Sequence, residues 1–334
     1  MARAREQRQA RWPWLARLAG RGSIRCLEPD GAARPAPRQA HRPFRAGVLA
    51  PWQSALLEAV GLGGADAHFP SAALTRTGEL GEPAAGFWMH AQPLYFAAGM
   101  QHLSAMLLCE HNLVLPSERG ALAPTLAEHL QLSGFELAGG HEGEWLVRSA
   151  NALQFASVSP ERAVAMPLEE AMPQGPDAAM LGRLMTELQM LLHEHPVNAQ
   201  RQARGALPVN ALWLHGEGAL DLGSLPLCPA LPQAFGHDLY LRGLYRLHDL
   251  TVAAPPTDAT SLLPLLNASA VVIVDTDDLD TLESSWLAPL AGALAPRGIS
   301  QLELVLDRWR IVVRRRARFA LWRRPRSAMQ WPSC

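Results

Sequence analysis

The feature that most constrains this chain is one continuous segment, residues 176–218, in which a helix, a polar turn, a strand and a glycine loop are predicted in succession. Apolar residues recur there at helical spacing, at Leu181, Leu184, Leu188 and Leu192. Pro196 is expected to end this helix because proline supplies no amide hydrogen. Residues 209–215 are apolar on both alternating faces and run into Gly-Glu-Gly, which predicts an interior strand followed by a tight loop.

Composition limits the class of protein. The 334 residues are 49% hydrophobic and 18% charged, which is typical of a globular protein with a sizeable core. The net charge of -1 indicates no general attraction to nucleic acid. The 4 cysteines are scattered without a C-x-x-C pair, which argues against a disulfide framework or a structural zinc site and suits a reducing cytoplasm. No apolar run is long enough to span a bilayer, so we expect a cytoplasmic protein without a membrane partner.

The chain divides into three regions by pattern. Residues 1–46, rich in Arg, Pro, Ala and Gly, are predicted to be a basic disordered extension. Residues 47–175 are predicted to form an α+β region that contains a β-hairpin at residues 135–147, and a proline-containing linker ends it. In residues 176–334 strands and helices alternate, which predicts an α/β region with a mostly parallel sheet and flanking helices.

A basic strand is predicted near the C-terminus. Ile311 and Val313 alternate with Arg310 and Arg314, so one face of the strand is expected to be buried and the other strongly basic. Together with neighbouring tryptophans such a strand could contact nucleic acid. A charged strand that resists aggregation is the favoured interpretation, and nucleic acid is therefore an unlikely partner.

The polar residues of the segment 176–218 are the main candidates for a site. They could form a hydrogen-bonded network that locks the helix to the strand, because buried polar groups must be satisfied, or they could line a pocket for a small ligand. His193 and His195 are two residues apart and lack the H-E-x-x-H spacing, which makes zinc improbable. The candidates are Glu187, Gln189, His193, His195, Asn198, Arg201, Asn210, His215 and Glu217.

A second candidate is a cluster of carboxylates after a predicted strand. Asp275, Asp277 and Asp278 lie where open α/β sheets place their sites, and carboxylates could bind Mg²⁺ there. An acidic cluster is equally expected before a helix, because the helix dipole favours negative charge at that end. Without companion ligands the second interpretation is preferred, and no metal site is predicted.

The central segment resembles a known family. The run ELQMLLHEHPVNAQRQARG followed by VNALWLHGEG is similar to the RpfE-type regulatory proteins of proteobacteria, which are also described as cofactor-independent phosphoglycerate mutase-like. The resemblance extends to GFWMHAQPLYF and RRRARFALWRRPR and so spans most of residues 80–326. It implies a regulatory role.

A further similarity concerns the archaeal-type cofactor-independent phosphoglycerate mutases. The strings VNALWLHGEG, PLCPALPQAFG and LYLRGLYRL are similar to the strand, glycine loop and helix of those enzymes. That similarity implies a degenerate alkaline-phosphatase-like fold, whose active members use two divalent metals and a serine nucleophile. The sequence contains no early Asp-Gly-x-x-Asp, no serine in a metal-binding context and no late His/Asp cluster, although two-metal chemistry needs several such ligands.

The expected function is therefore non-catalytic binding in a regulatory role, with a protein partner or a small anionic metabolite as ligand and no cofactor. The alternative is a divergent metal-dependent phosphoglycerate mutase or phosphatase, which would need Mg²⁺ or Mn²⁺. A second alternative is a nucleic-acid binder that uses the Arg-rich C-terminus.

Overall fold

The computed structural model describes residues 23–26, 49–62, 70–99, 103–138, 145–223, 231–276, 278–295, 298–306 and 309–315. The strands are β1 Ser23–Cys26, β2 Phe87–Ala98, β3 Leu103–Leu107, β4 Phe135–Ala138, β5 Trp145–Ser149, β6 Ala211–Gly218, β7 Gln233–Phe235, β8 Ala270–Val272, β9 Gln301–Leu306 and β10 Trp309–Arg314. The α-helices are α1 Pro51–Ala59, α2 Ser71–Leu80, α3 Pro116–Leu132, α4 Pro160–Ala163, α5 Leu168–Ala171, α6 Ala178–His193, α7 Pro196–Ala203, α8 Leu239–Arg246, α9 Ala259–Leu262, α10 Leu279–Thr281 and α11 Ala288–Ala293. Short 3₁₀ helices are formed by Glu110–Asn112 and Leu263–Leu265, and a π-helix, Leu282–Leu287, joins α10 to α11.

The main sheet has five strands built around β2. This long strand pairs antiparallel with β3, β5 and β6, and β4 pairs antiparallel with β5. The β4–β5 pairing confirms the predicted hairpin. Because β6 pairs with β2, the sheet combines strands from both sides of residue 175.

One face of the main sheet is covered by α3 and α6. The predicted apolar stripe of α6 is buried as expected, and α6 ends at His193, close to Pro196. The stripe packs with α3 and the sheet in one core that includes Leu122, Leu126, Leu130, Leu181, Leu184, Leu188, Leu192, Met89, Val147 and Leu214. The helix is stable here because its apolar residues, at helical spacing, form a stripe that packs against the apolar face of the sheet.

The opposite face is covered by α2, α4 and α5. Ala72 and Ala73 of α2 pack on Trp88, and the short helices α4 and α5 pack around Trp213. Helix α8 lies against the outer side of α2 in very close contact. A Cβ added to Gly243 would lie 1.9 Å from the carbonyl oxygen of Leu74, so this crossing requires glycine.

The mostly parallel sheet predicted for the C-terminal region is not confirmed. Among the described strands of that region, β7 and β8 are parallel, whereas β6, β9 and β10 pair antiparallel. The apolar run of β6 does identify an interior strand. An antiparallel strand covered by helices on both faces carries the same pattern as a parallel one, so the pattern does not give the direction of pairing.

The predicted basic strand is β10. Ile311 and Val313 are buried and Arg314 is exposed, as the alternation indicates. It lies between β1 and β9, so Ser23–Cys26, within the predicted disordered extension, form a strand here, while the rest of residues 1–46 lies outside the described residues. None of the helices in the described part of the chain has the length and apolar character needed to cross a membrane.

Candidate functional site

Two histidines face each other across neighbouring strands of the main sheet. His90 of β2 is opposite His215 of β6 in the antiparallel register. Their rings stack with centroids 4.9 Å apart and an interplanar angle of 22°. His90 is buried and His215 is half-buried, so the pair is open to solvent from the β6 side.

A glycine beside this pair brings three elements into close contact. Gly216 has a φ of +64°, in the left-handed region that favours glycine. A Cβ added there would lie 2.1 Å from Oγ of Ser71, at the start of α2, and 2.8 Å from Cδ2 of His90. The tight loop predicted at Gly-Glu-Gly does not form, because residues 216–218 belong to β6, where the register against β2 shifts. Glycine is needed at residue 216 because this backbone position has no room for a side chain.

The segment Ser157–Ser159 lies alongside β6. Trp213 Nε1 donates to the carbonyl oxygen of Val158 at 2.9 Å. Two residues beyond His215, Glu217 Oε1 accepts from Ser157 N at 3.0 Å, and Ser157 Oγ donates to the other carboxylate oxygen. His215 lies between Trp213 and Glu217 along the strand, in which the register against β2 shifts between Trp88 and His90.

Glu217 is the buried carboxyl group of this region. Burial raises its pKa above the ordinary value, and the hydrogen bonds from Ser157 act in the opposite direction without cancelling the effect of burial. The carboxyl group therefore takes up a proton more readily than an exposed glutamate does.

A cleft of about 2120 Å³ opens beside the histidine pair. His90, Gln92, His215 and Ser159 line it on the side of the sheet. Helices α2 and α8 contribute further polar groups, among them Glu79 and Arg242. The cleft is large enough for a small metabolite, and its polar groups carry charges of both signs.

The hydrogen bonds of the candidate residues fall into separate sets and not into one helix-to-strand network. Asn198 is buried and donates from Nδ2 to the carbonyl oxygens of Leu192 at 2.7 Å and Val209 at 2.8 Å. Its Oδ1 accepts from Val209 N at 2.7 Å, so it joins the end of α6 to the start of β6. Asn210 instead bonds to the backbone of Phe96 through both amide atoms, at 2.6 and 2.9 Å.

Arg201 is fully buried and forms an ion pair with Glu118 of α3. It also donates to the carbonyl oxygens of Leu207 at 2.7 Å, Leu113 at 3.3 Å and Asn112. Burial acts to raise the pKa of Glu118, but hydrogen bonds from Leu115 N, Arg204 and Arg201 outweigh it and hold that pKa below its ordinary value. The contacts of this cluster hold α7 against α3, so its role is structural.

The remaining candidates of the central segment lie on the outer side of α3, α6 and α7. Glu187 is exposed and pairs with His129 at 3.2 Å. His193 is exposed, and Gln189 is half-buried. His195 caps α7 by accepting from Val197 N at 3.3 Å. None of these four belongs to the wall of the cleft in the described structure.

The carboxylate cluster after β8 is arranged as a helix cap. Asp278 Oδ1 accepts from Asp280 N at 3.0 Å, and its Oδ2 accepts from Thr281 Oγ1 at 2.5 Å. Asp275 is exposed at the rim of the cleft, and Asp277 lies outside the described residues. No group of three or more His, Cys, Asp or Glu side chains in the described part of the chain could hold a metal ion. The donors present there do not fit a two-metal centre.

Several site residues were missed by sequence reasoning. His90, Ser159 and Ser157 precede the central segment and come next to it because β2 pairs with β6 and because Ser157 bonds to Glu217. The signal that could have found Glu118 is its place in the first turn of α3, where a glutamate often caps the helix. No local signal identifies the other three.

Comparison with known proteins gives one sequence similarity. The chain is 33% identical over 81 residues to the 2,3-bisphosphoglycerate-independent phosphoglycerate mutase of Methanothrix thermoacetophila. The match covers 24% of this chain and 18% of the mutase, well under two thirds of the relative's length. No family model matches the chain.

Two solved structures are also similar. The cofactor-independent phosphoglycerate mutase of Thermoplasma acidophilum aligns with 90% of this chain and 81% of its own, at 17% identity and a TM-score of 0.35. A protein from Pyrococcus horikoshii aligns with 74% of this chain and 55% of its own, at 15% identity and a TM-score of 0.33. Neither likeness supports a statement about activity.

Proposed function

We propose that this protein binds a small anionic metabolite in the cleft beside β2 and β6 and acts in a regulatory role without catalysis. The regulatory role is the one that the resemblance to RpfE-type proteins implies. The observation that carries the binding proposal is the stacked pair His90 and His215 in the cleft wall. An imidazole ring carries an N–H group that can donate a hydrogen bond to an anion.

A thermal-shift titration tests this function. We expect 3-phosphoglycerate or inorganic phosphate to stabilise the purified full chain, by about 2.7 kcal/mol when the ligand exceeds its Kd a hundredfold. His215→Gln should weaken the effect. The matched control is His193→Gln, an exposed histidine outside the cleft, which should leave it unchanged. The absence of stabilisation by any phosphorylated or carboxylated metabolite would contradict the proposal.

The second candidate is a divergent metal-dependent phosphoglycerate mutase or phosphatase. The sequence similarity to the Methanothrix thermoacetophila mutase favours it. The test is a mutase and phosphatase assay in the presence of Mn²⁺ or Mg²⁺. Turnover that Asp275→Ala abolishes would favour this enzyme and refute the non-catalytic role.

A further inference from the structure

Ser159 occupies a helix N-cap position but its side chain does not cap the helix. It precedes α4 with extended backbone angles, φ -63° and ψ 156°, and no side-chain cap hydrogen bond forms. A serine at this position ordinarily accepts from an amide of the first turn. Here the amides of Arg162 and Ala163 both donate to the carbonyl oxygen of Ser159, each at 3.0 Å. The hydroxyl is left available.

This hydroxyl is buried and has no hydrogen-bond partner among the described residues. The side chain is 1% exposed and belongs to the cleft wall that contains the histidine pair. A buried hydroxyl without a hydrogen-bond partner is energetically unfavourable, so its presence indicates a functional role.

The backbone before Ser159 is held firmly against β6. Val158 accepts a hydrogen bond from Trp213, and Ser157 donates one to Glu217. Trp213 and Glu217 lie two residues before and two residues after His215 on the strand. Ser159, one residue beyond Val158, is therefore presented to the cleft from a fixed backbone, and His215 lines the same cleft. Rotation about its Cα–Cβ bond moves the hydroxyl between staggered positions without moving that backbone.

We propose that Ser159 Oγ and the imidazoles of His90 and His215 form a subsite for an oxyanion group, either phosphate or carboxylate. The subsite rests on the proposed function and specifies the part of the cleft that holds the charge of the ligand. The hydroxyl and the N–H groups of the imidazole rings can donate hydrogen bonds, and bonds to a charged acceptor are stronger than neutral ones.

The acidic groups nearby are compatible with an anion. Glu161 also lines the cleft, but its side chain is exposed, where water screens its charge. Glu217, two residues beyond His215 on β6, is buried, and the raised pKa of its carboxyl group favours the neutral form. Repulsion of a bound anion is reduced by both effects.

The test compares Ser159→Ala with Ser117→Ala, an exposed serine in the first turn of α3, in the full chain. The probes are inorganic phosphate, glycerol 3-phosphate, which has no carboxylate, and D-glycerate, which has no phosphate. Calorimetric titration should show a loss of about tenfold in affinity for Ser159→Ala, as expected for one hydrogen bond to a charged group, and none for Ser117→Ala. Binding of the first two probes only identifies phosphate as the recognised group, and binding of D-glycerate only identifies carboxylate.

Thermal unfolding without ligand gives a separate readout. Because the hydroxyl is buried and has no described partner, Ser159→Ala should leave the unliganded Tm unchanged or raise it. A lower Tm together with unchanged affinity would show that the hydroxyl is a structural cap and would overturn the subsite. If the wild-type protein binds these probes and only His215→Gln weakens binding, the ligand-binding function stands and the role of Ser159 is wrong. If no probe binds, both are wrong.

Discussion

The replacement Arg201→Met should strongly destabilise the protein. The guanidinium is fully buried, and it serves the carboxylate of Glu118 and three backbone carbonyl oxygens. Methionine fills a similar volume but donates no hydrogen bond, so these acceptors lose a donor while they stay buried. This side chain, together with Arg204, joins α7 to α3.

The expected cost is about 3–5 kcal/mol, the usual result of removing one partner of a buried ion pair. Arg204 moderates the loss because it still donates to Glu118, from Nη2 at 3.0 Å and Nε at 3.1 Å. With an m-value of about 2–3 kcal/mol per molar urea, the unfolding midpoint should fall by roughly 1–2.5 M. The double variant Glu118→Leu/Arg201→Met should lose less than the sum of the two single variants, because it removes both charges.

Urea unfolding followed by circular dichroism measures these differences at pH 7. Arg183→Met is the matched control, since Arg183 is an exposed arginine on α6, and it should change stability by less than about 0.5 kcal/mol. A loss below about 1 kcal/mol for Arg201→Met, no larger than that of the control, would refute the reasoning. Strict additivity in the double variant would show that the two charges do not depend on each other.

Three further predictions concern residues around β6. Gly216→Ala should lower the free energy of unfolding by more than about 2 kcal/mol, because the new Cβ would clash with Ser71 and His90 at a positive φ. The control Gly120→Ala, which has open space around it, should be neutral or stabilising. Equal urea midpoints for the two variants would contradict this prediction. Asn198→Ala should lower the free energy of unfolding by about 2–3 kcal/mol, because backbone groups at the α6–β6 junction lose their hydrogen-bond partners. A denaturation midpoint close to that of Gln200→Ala, a control at an exposed residue, would refute this prediction. Glu217→Gln should gain stability relative to the wild type as pH rises. A carboxyl with a raised folded pKa stabilises fully below the unfolded value of about 4.5 and loses that contribution as pH rises through the folded pKa, so a difference that is the same at pH 5 and pH 8 in urea unfolding would rule this out.

Local patterns in the sequence identify several elements of the structure correctly. The stripe of α6 and the alternation in β10 follow from helical and strand periods, which depend only on neighbouring residues. Capping behaviour was harder to predict. Asp177 directly precedes α6, where an aspartate ordinarily caps a helix, yet its carboxylate accepts from Gln154 N at 2.6 Å and makes no cap hydrogen bond. When a side chain has several possible hydrogen-bond partners, tertiary contacts decide which of them it binds.

The candidate site was predicted only in part. Of the candidates in the central segment, His215 lies in the cleft wall and Glu217 bonds to Ser157. The expected partners of Arg201 and Asn210 lay within that segment, whereas the actual partners are Glu118 and the backbone of Phe96. The sequence analysis did not identify these partners, because hydrogen bonds between residues distant in the chain produce no pattern in the neighbouring sequence.

The amino-acid sequence by itself determined that α6 is a helix and that β6 and β10 are strands, and which faces of α6 and β10 are buried, since burial of apolar side chains repeats with the period of the backbone. Only the tertiary structure decided that β6 lies antiparallel beside β2, and that pairing places His90 against His215 and brings Ser159 to the wall of the same cleft. The physical reason is that an apolar strand can pair in either direction with any strand whose faces are also covered. The choice among partners depends on the packing of the whole chain.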